Sequence, residues 1–122
     1  MEATILVLDA DERQRQDLCQ LLKRNGWMSE LLETLDELKQ RLAGNDVLAA
    51  IIDIDSVPLE NRILRDLVVQ NPAIYFFCMS ERRFHPELED AIGSHVYACI
   101  SKPVDPDELL FWVRSIQKER QV

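Results

Sequence analysis

Four apolar runs of the sequence end in polar side chains that can take part in catalysis or binding. Aspartates stand at two of these ends, a serine at the third and a lysine at the fourth: Asp9 with Asp11, Asp53 with Asp55, Ser80, and Lys102. Carboxylates hold hard cations such as Mg²⁺, and a carboxylate can also attack phosphorus as a nucleophile. A hydroxyl and an ammonium can bind the oxygens of a phosphoryl group. If these side chains meet, they form a site for phosphoryl chemistry in which Asp53 is the nucleophile.

The secondary-structure elements predicted between these residues indicate how their side chains could come together. The run Val47–Ile52 lacks polar alternation, which indicates a strand buried on both faces, and it leads directly into Asp53. Strands are predicted over residues 3–8, 27–32, 47–52, 73–79 and 96–100, and helices over 12–24, 35–44, 58–70, 86–93 and 106–120. Five repeats of strand and helix predict a doubly wound α/β fold, a five-stranded parallel sheet with helices on both faces. The carboxyl ends of its strands share one edge, where such sheets bind ligands.

Composition narrows the range of partners. The chain has 122 residues, the size of one domain, and a net charge of −8, which argues against direct binding of nucleic acid or an anionic membrane. Without a signal peptide or a long apolar run, a cytoplasmic location is expected. The three cysteines lack metal-like spacing and are expected to be small core residues, and the histidines His85 and His95 are expected at the surface.

Taken together, these features resemble the receiver domain of two-component response regulators. The resemblance covers residues 1–122 and rests on three segments: Leu8–Glu12, Ile51–Asp53 with a proline soon after it, and Ser80 followed by Lys102-Pro103. It implies a flavodoxin-like sheet with strand order 2-1-3-4-5. The chain is then a single receiver domain, either free-standing or cut from a longer regulator.

The resemblance also implies roles for the site residues. Asp53 would accept a phosphoryl group from a sensor histidine kinase or a phosphotransfer protein. Ser80 and Lys102 would contact the phosphoryl oxygens, Asp9 would help to hold Mg²⁺, and the Lys102–Pro103 peptide bond would be cis. The domain would be a binding switch and not a turnover enzyme, acting through a C-terminal output domain or a homodimer.

Several positions depart from the receiver pattern and support a second hypothesis. Ala10 stands where such domains carry a second acid, so Mg²⁺ affinity is expected to be weak unless the side chain of Asp11 or the side chain or backbone of Asp55 substitutes. Glu81 stands where a small residue is common, and Cys99 where an aromatic residue is common. These departures favour a pseudo-receiver that docks to partners without being phosphorylated.

A third hypothesis places the chain in another class. The segment Asp53–Val57 also fits the first motif of haloacid-dehalogenase-like phosphatases, in which the first aspartate is the nucleophile and the second a general acid. That family also needs an acidic pair after its lysine. Asp105 and Asp107 are the only aspartates that follow Lys102, and they are assigned to the start of the last helix. A phosphatase fragment is therefore the hypothesis with least support.

Overall fold

The computed structural model describes residues 3–82 and 85–121, and within these residues five strands alternate with five helices. The strands are β1 (Thr4–Leu8), β2 (Met28–Leu32), β3 (Val47–Asp53), β4 (Tyr75–Ser80) and β5 (Ala98–Ser101). The helices are α1 (Glu12–Arg24), α2 (Leu35–Arg41), α3 (Asn61–Gln70), α4 (Glu89–His95) and α5 (Pro106–Gln121). All neighbouring strands are parallel, and their order is β2-β1-β3-β4-β5. The predicted doubly wound sheet with strand order 2-1-3-4-5 is confirmed.

The core lies in two layers, one on each face of the sheet. Side chains alternate between the faces along each strand, so neighbouring residues of one strand join different layers. One layer packs the sheet against α2, α3 and α4, with Leu38, Leu64 and Ala91 among its buried residues. The other packs it against α1 and α5, through Leu18 and Val113 among others. Every residue of β3 is buried, as its unbroken apolar run predicts.

Local sequence signals explain where the first two helices begin and how the first ends. Asp11 caps α1 by accepting a hydrogen bond from the backbone N–H of Gln14, and Thr34 with Glu37 forms the predicted capping box of α2. After α1, Gly26 has a φ of +83°, a left-handed conformation that glycine adopts without steric cost. The longest helix has 16 residues, and no helix within residues 3–82 and 85–121 could span a membrane.

Several predicted boundaries are wrong. Helix α2 ends at Arg41 and not at residue 44, and β5 covers Ala98–Ser101 and not residues 96–100. Three other differences have identifiable causes. Helix α3 begins at Asn61 and not at Pro58, because the preceding residues form a loop that starts with a hydrogen bond from Val57 N–H to the Asp53 carbonyl. Strand β4 begins at Tyr75 and not at residue 73, because residues 71–74 form a turn closed by a 3.1 Å hydrogen bond from Ile74 N–H to the Asn71 carbonyl. Gly93 was expected to end the fourth helix but lies inside α4, where an isolated glycine is tolerated.

Two expectations about exposure are also wrong. His85 is 7% exposed and not a surface residue, because it lies just before the 3₁₀ turn Pro86–Leu88, where its Nε2 is 3.0 Å from the Arg82 carbonyl oxygen. Cys99 was expected in the core, yet it is exposed on β5, an edge strand. The other two cysteines are closer to expectation, since Cys78 is buried and Cys19 is partly buried.

Candidate functional site

The predicted site residues all lie at the carboxyl edge of the sheet. Asp9 directly follows β1, Asp53 ends β3, Ser80 ends β4 and Lys102 directly follows β5. The first two are almost completely buried, at 0% and 1% exposure, and Ser80 is 6% exposed. Burial of two carboxylates is costly unless other groups compensate their charge, so their contacts define what the site can do.

Lys102 makes the central contact of the site. Its Nζ lies 3.0 and 3.1 Å from the two carboxylate oxygens of Asp53, and its backbone N–H donates to the Ser80 carbonyl at 3.0 Å. The Lys102–Pro103 peptide bond is cis, as the resemblance implied. Burial would lower the pKa of Lys102, but its bonds to Asp53 and Asp55 outweigh this and raise the pKa. The ammonium therefore stays charged beside the expected phosphoacceptor.

Asp9 and Asp53 form a carboxylate pair that is bridged by uncharged groups. The Ser56 hydroxyl lies 3.2 Å from Asp9 Oδ1 and 3.1 Å from Asp53 Oδ2. The Gln14 side-chain amide donates to Oδ2 of Asp9 and, at 3.0 Å, to Oδ2 of Asp53. Burial raises the pKa of Asp9, and the charge of Asp53 adds to the rise, against hydrogen bonds from the Asp11 N–H and Gln14 that lower it. The carboxylate pair thus carries more negative charge than its immediate neighbours neutralise.

Asp55 faces the other side of the site. Its Oδ1 accepts a 2.7 Å hydrogen bond from the Ser80 hydroxyl, and its Oδ2 accepts one of 2.8 Å from the Glu81 N–H. Lys102 Nζ lies 3.1 Å from the same Oδ2. Burial would raise the pKa of Asp55, but the hydrogen bonds from Ser80, Glu81 and Lys102 lower it to about 2. We call the Ser80 hydroxyl, the Glu81 N–H and the Lys102 ammonium the anion-binding set.

The carboxylate pair is the part of the site that fits Mg²⁺. Mg²⁺ is commonly held by one or two carboxylates together with water and phosphate oxygens. Asp9 and Asp53 supply two buried carboxylates with no cation between them in the described residues except the nearby Lys102. Among residues 3–82 and 85–121, no three acidic, histidine or cysteine side chains converge into a metal-binding group. Within the described part of the chain, the carboxylates of Asp9 and Asp53 are therefore the side-chain donors placed to hold such an ion.

The alternative metal ligands are engaged elsewhere. Asp11 is the N-cap of α1, and its carboxylate accepts from the Gln14 N–H at 3.1 Å. The Asp55 side chain is bound to the anion-binding set, with both of its oxygens used. In this arrangement the Asp11 and Asp55 side chains are directed at other donors and not at the carboxylate pair.

Sequence reasoning missed three residues of the site. Gln14 lies one turn into α1, and its backbone N–H is held by Asp11, which sets the side chain beside the carboxylate pair. Ser56 lies three residues after Asp53 in the loop that follows β3. Arg15 is buried, donates to the Asp9 carbonyl at 2.6 Å and pairs with Glu33 at 3.2 Å, which holds the end of β1. The one sequence signal that could have indicated these three residues is their short distance along the chain from the aspartates of the site.

The acidic pair that the phosphatase hypothesis requires has a different role. Asp105 precedes α5, and its carboxylate accepts a 2.9 Å hydrogen bond from the Asp107 N–H. Both residues therefore belong to the start of that helix, as the sequence indicated.

Solved structures similar to this one include proteins described as receiver domains. They include the signal receiver domain of an HD domain-containing protein from Pseudomonas fluorescens, with 22% identity, a TM-score of 0.86 and coverage of 99% of this chain and 98% of that one. A CheY-like response regulator receiver domain protein from Methanospirillum hungatei has 20% identity, a TM-score of 0.85 and the same coverage, 99% and 98%. NtrX from Brucella abortus has 20% identity and a TM-score of 0.82 over 99% of this chain and 28% of that chain.

Sequence comparison adds no closer relative. No protein-family model matches the sequence, and no curated protein matches it. The similarity to solved structures extends over nearly the whole chain at 20–22% identity for these three proteins. The five parallel strands of this chain, in the order 2-1-3-4-5, and its five helices match the flavodoxin-like receiver fold. The chain therefore has the flavodoxin-like fold of response regulator receiver domains.

Proposed function

We propose that this chain is a receiver domain that takes a phosphoryl group on Asp53 and works as a binding switch in two-component signal transduction. The observation that carries the proposal is the contact of Lys102 Nζ with both carboxylate oxygens of Asp53, at 3.0 and 3.1 Å. A buried carboxylate at the end of a central strand, paired with a buried ammonium, is an arrangement suited to transfer of a phosphoryl group onto that carboxylate.

The proposed reaction uses groups on both sides of Asp53. An oxygen of Asp53 attacks phosphorus, the bond from phosphorus to the donor's histidine nitrogen breaks, and an aspartyl phosphate forms. The Lys102 ammonium and the Ser80 hydroxyl bind the phosphoryl oxygens as negative charge builds up on them. An open depression lined by Ile54, Asp55, Glu81, Arg82 and Lys102 leads to this side of the site.

Mg²⁺ is the proposed cofactor, held by the carboxylates of Asp9 and Asp53. When bound, it neutralises charge on the carboxylate and on the incoming phosphoryl group. Because Ala10 supplies no third carboxylate, we expect weak binding and slow phosphorylation.

A sensor histidine kinase or a phosphotransfer protein is the proposed phosphoryl donor, and an output domain or a second copy of the chain is the proposed target of the switch. Two of the similar structures belong to longer proteins: one is a receiver domain of an HD domain-containing protein, and this chain spans 28% of NtrX. These relatives support a receiver that acts through a linked or associated domain.

The test is incubation with Mg²⁺ and a small phosphodonor such as phosphoramidate, followed by intact mass spectrometry. We expect a slow gain of one phosphoryl group in the wild type and none in Asp53→Asn. Asp66→Asn is the matched control, because Asp66 is a partly exposed residue of α3 whose one ion pair within the described residues is with Arg65, at 3.4 Å. Equal labelling of Asp53→Asn and the wild type would contradict the proposed acceptor.

A phosphorylation-independent docking module is the second candidate. The position of Gln14 favours this function. Its side-chain amide contacts both members of the carboxylate pair and so occupies the place that is suited to a cation. If the wild type takes up no phosphoryl group at any Mg²⁺ concentration, and Ala10→Asp does not change this, the docking function is the better one.

A further inference from the structure

The Asp55 carboxylate has the surroundings expected for a phosphoryl group. A hydroxyl, a backbone N–H and an ammonium converge on it at 2.7, 2.8 and 3.1 Å, from Ser80, Glu81 and Lys102. Three donors from two different strand ends around a single anion form an oxyanion site. The side chain of Asp55 is 24% exposed, so most of it is withdrawn from water into this site.

The same donors are the ones that a phosphoryl group on Asp53 would need. Lys102 Nζ contacts Asp53 and Asp55 at once, at 3.0 and 3.1 Å, so the Asp55 carboxylate lies directly beside the acceptor. Both Asp55 oxygens are used, one by Ser80 and the other by Glu81 and Lys102. A phosphoryl group cannot bind these donors until the Asp55 carboxylate has left them.

We propose that Asp55 is an internal substitute for the phosphoryl group, which occupies the anion-binding set while Asp53 is unmodified. The inference rests on the proposed role of Asp53 as phosphoacceptor. It has two consequences: Asp55 opposes phosphorylation by competing for the donors, and it holds the start of the β4–α4 connection in its anion-bound arrangement without phosphate.

An ordinary metal-ligand role for the Asp55 side chain predicts the opposite effect of its removal. If Asp55 competes for the donors, Asp55→Asn weakens its hold on Lys102 and Ser80 and phosphorylation of Asp53 becomes faster. If the Asp55 carboxylate instead helps to hold Mg²⁺, the same substitution makes phosphorylation slower. The sign of the change therefore distinguishes the two roles.

The experiment compares the rate of phosphoramidate labelling at subsaturating and at saturating Mg²⁺ in the wild type, Asp55→Asn, Asp55→Ala and the control Asp66→Asn. Loss of charge-assisted hydrogen bonds to Asp55 should speed labelling roughly tenfold in both Asp55 variants, and leave Asp66→Asn unchanged. The label must disappear in the double variant Asp53→Asn/Asp55→Ala. Circular dichroism melting verifies that each variant is folded.

A second measurement tests directly whether the Glu81 N–H is bound to Asp55. Amide hydrogen exchange of Glu81 should be slow in the wild type without phosphodonor and fast in Asp55→Ala, because that N–H loses its acceptor. Beryllofluoride, a phosphoryl analogue, should restore protection in Asp55→Ala.

The outcomes separate the inference from the proposed function. Labelling of the wild type at a rate equal to or above that of both Asp55 variants overturns the inference and leaves Asp53 as acceptor. Failure of every protein to take up phosphate, with Ala10→Asp included, overturns both. Fast exchange at Glu81 in the wild type also overturns the inference.

Discussion

The two halves of this site differ in how far the negative charge of their carboxylates is compensated. In the anion-binding set, the Asp55 carboxylate meets the Lys102 ammonium at 3.1 Å together with two further donors, and the pKa of Asp55 falls to about 2. In the carboxylate pair, burial raises the pKa of Asp9, whose side-chain neighbours are an amide, a hydroxyl and a second carboxylate.

The difference shows where the site lacks positive charge. Lys102 binds Asp53 and Asp55, and among the described residues it makes no hydrogen bond or ion pair with Asp9. The deficit of positive charge is therefore concentrated on the Asp9 side. A cation is expected to bind on the Asp9 side, where the uncompensated carboxylate charge attracts it most strongly. It is not expected beside Asp55, whose charge is already compensated. The first substitution below alters both halves, and the others alter the carboxylate pair alone.

Lys102→Met should have the largest effect, because it removes the cation shared by both halves. Asp53 is 1% exposed and would be left as a buried carboxylate without its ion pair. We expect the free energy of unfolding to fall by about 3 kcal/mol, measured by urea denaturation. Lys118→Met, at an exposed position in the last turn of α5, is the control and should change little. If the free energy of unfolding falls no further than in the control, the ion pair between Asp53 and Lys102 is already hydrated.

Ala10→Asp should change the carboxylate pair and leave the anion-binding set intact. A third carboxylate next to Asp9 should tighten Mg²⁺ binding roughly tenfold, measured by isothermal titration calorimetry. Ala73→Asp adds the same charge in an exposed turn before β4, at the opposite edge of the sheet, and should not alter the affinity. Equal tightening by both variants would indicate a general charge effect.

Asp9→Asn should relieve repulsion within the carboxylate pair. In EDTA the variant should be more stable than the wild type by about 1 kcal/mol. In Mg²⁺ the wild type should gain stability and the variant should gain much less, since it lacks one ligand. Thermal melting in both buffers measures this, with Asp17→Asn on the exposed side of α1 as control. An equal Mg²⁺ response in Asp9→Asn would exclude Asp9 as a ligand.

Gln14→Ala should have the smallest effect, because it removes an uncharged bridge. Without metal, loss of its hydrogen bonds to the carboxylate pair should cost about 1 kcal/mol of unfolding free energy. With saturating Mg²⁺ the cost should shrink, since the cation takes over the same oxygens. Gln16→Ala is a close control on the same helix, because in the described part of the chain the Gln16 amide donates to Glu12 alone, at 3.3 Å. A cost that is independent of Mg²⁺ would show that Gln14 and the cation do not compete.

The fold could be read from the sequence because its signals are local and repeated. Buried parallel strands are continuous apolar runs, so Val47–Ile52 and its counterparts mark the sheet, and Thr34 with Glu37 marks a helix start. The edge at which Asp9, Asp53, Ser80 and Lys102 meet follows from parallel topology alone. The strand order came from the resemblance to receiver domains, because local patterns do not specify which strands are neighbours.

The details of the site could not be predicted, because they depend on side-chain direction in loops. Asp55 faces Ser80 and not Asp9, a choice between two nearby partners that spacing does not resolve. Gln14 is one polar residue among several on α1 and gains its role only when the helix packs beside β3. The burial of His85 likewise depends on the 3₁₀ turn that precedes α4, which no pattern in the sequence indicated.

The pairing of β3 has a kinetic consequence for Asp53 and Asp55. Asp53 is the last residue of a strand paired on both sides, whereas Asp55 lies beyond the ladder and is held through its side chain and the Asp55 N–H bond to Asp53 Oδ1. Exchange of the Asp55 carboxylate for an incoming group thus requires side-chain rotation, which is fast compared with domain motions. Asp55 would then lower the population of phosphorylation-competent molecules without adding a slow step, and the observed rate would scale with that population.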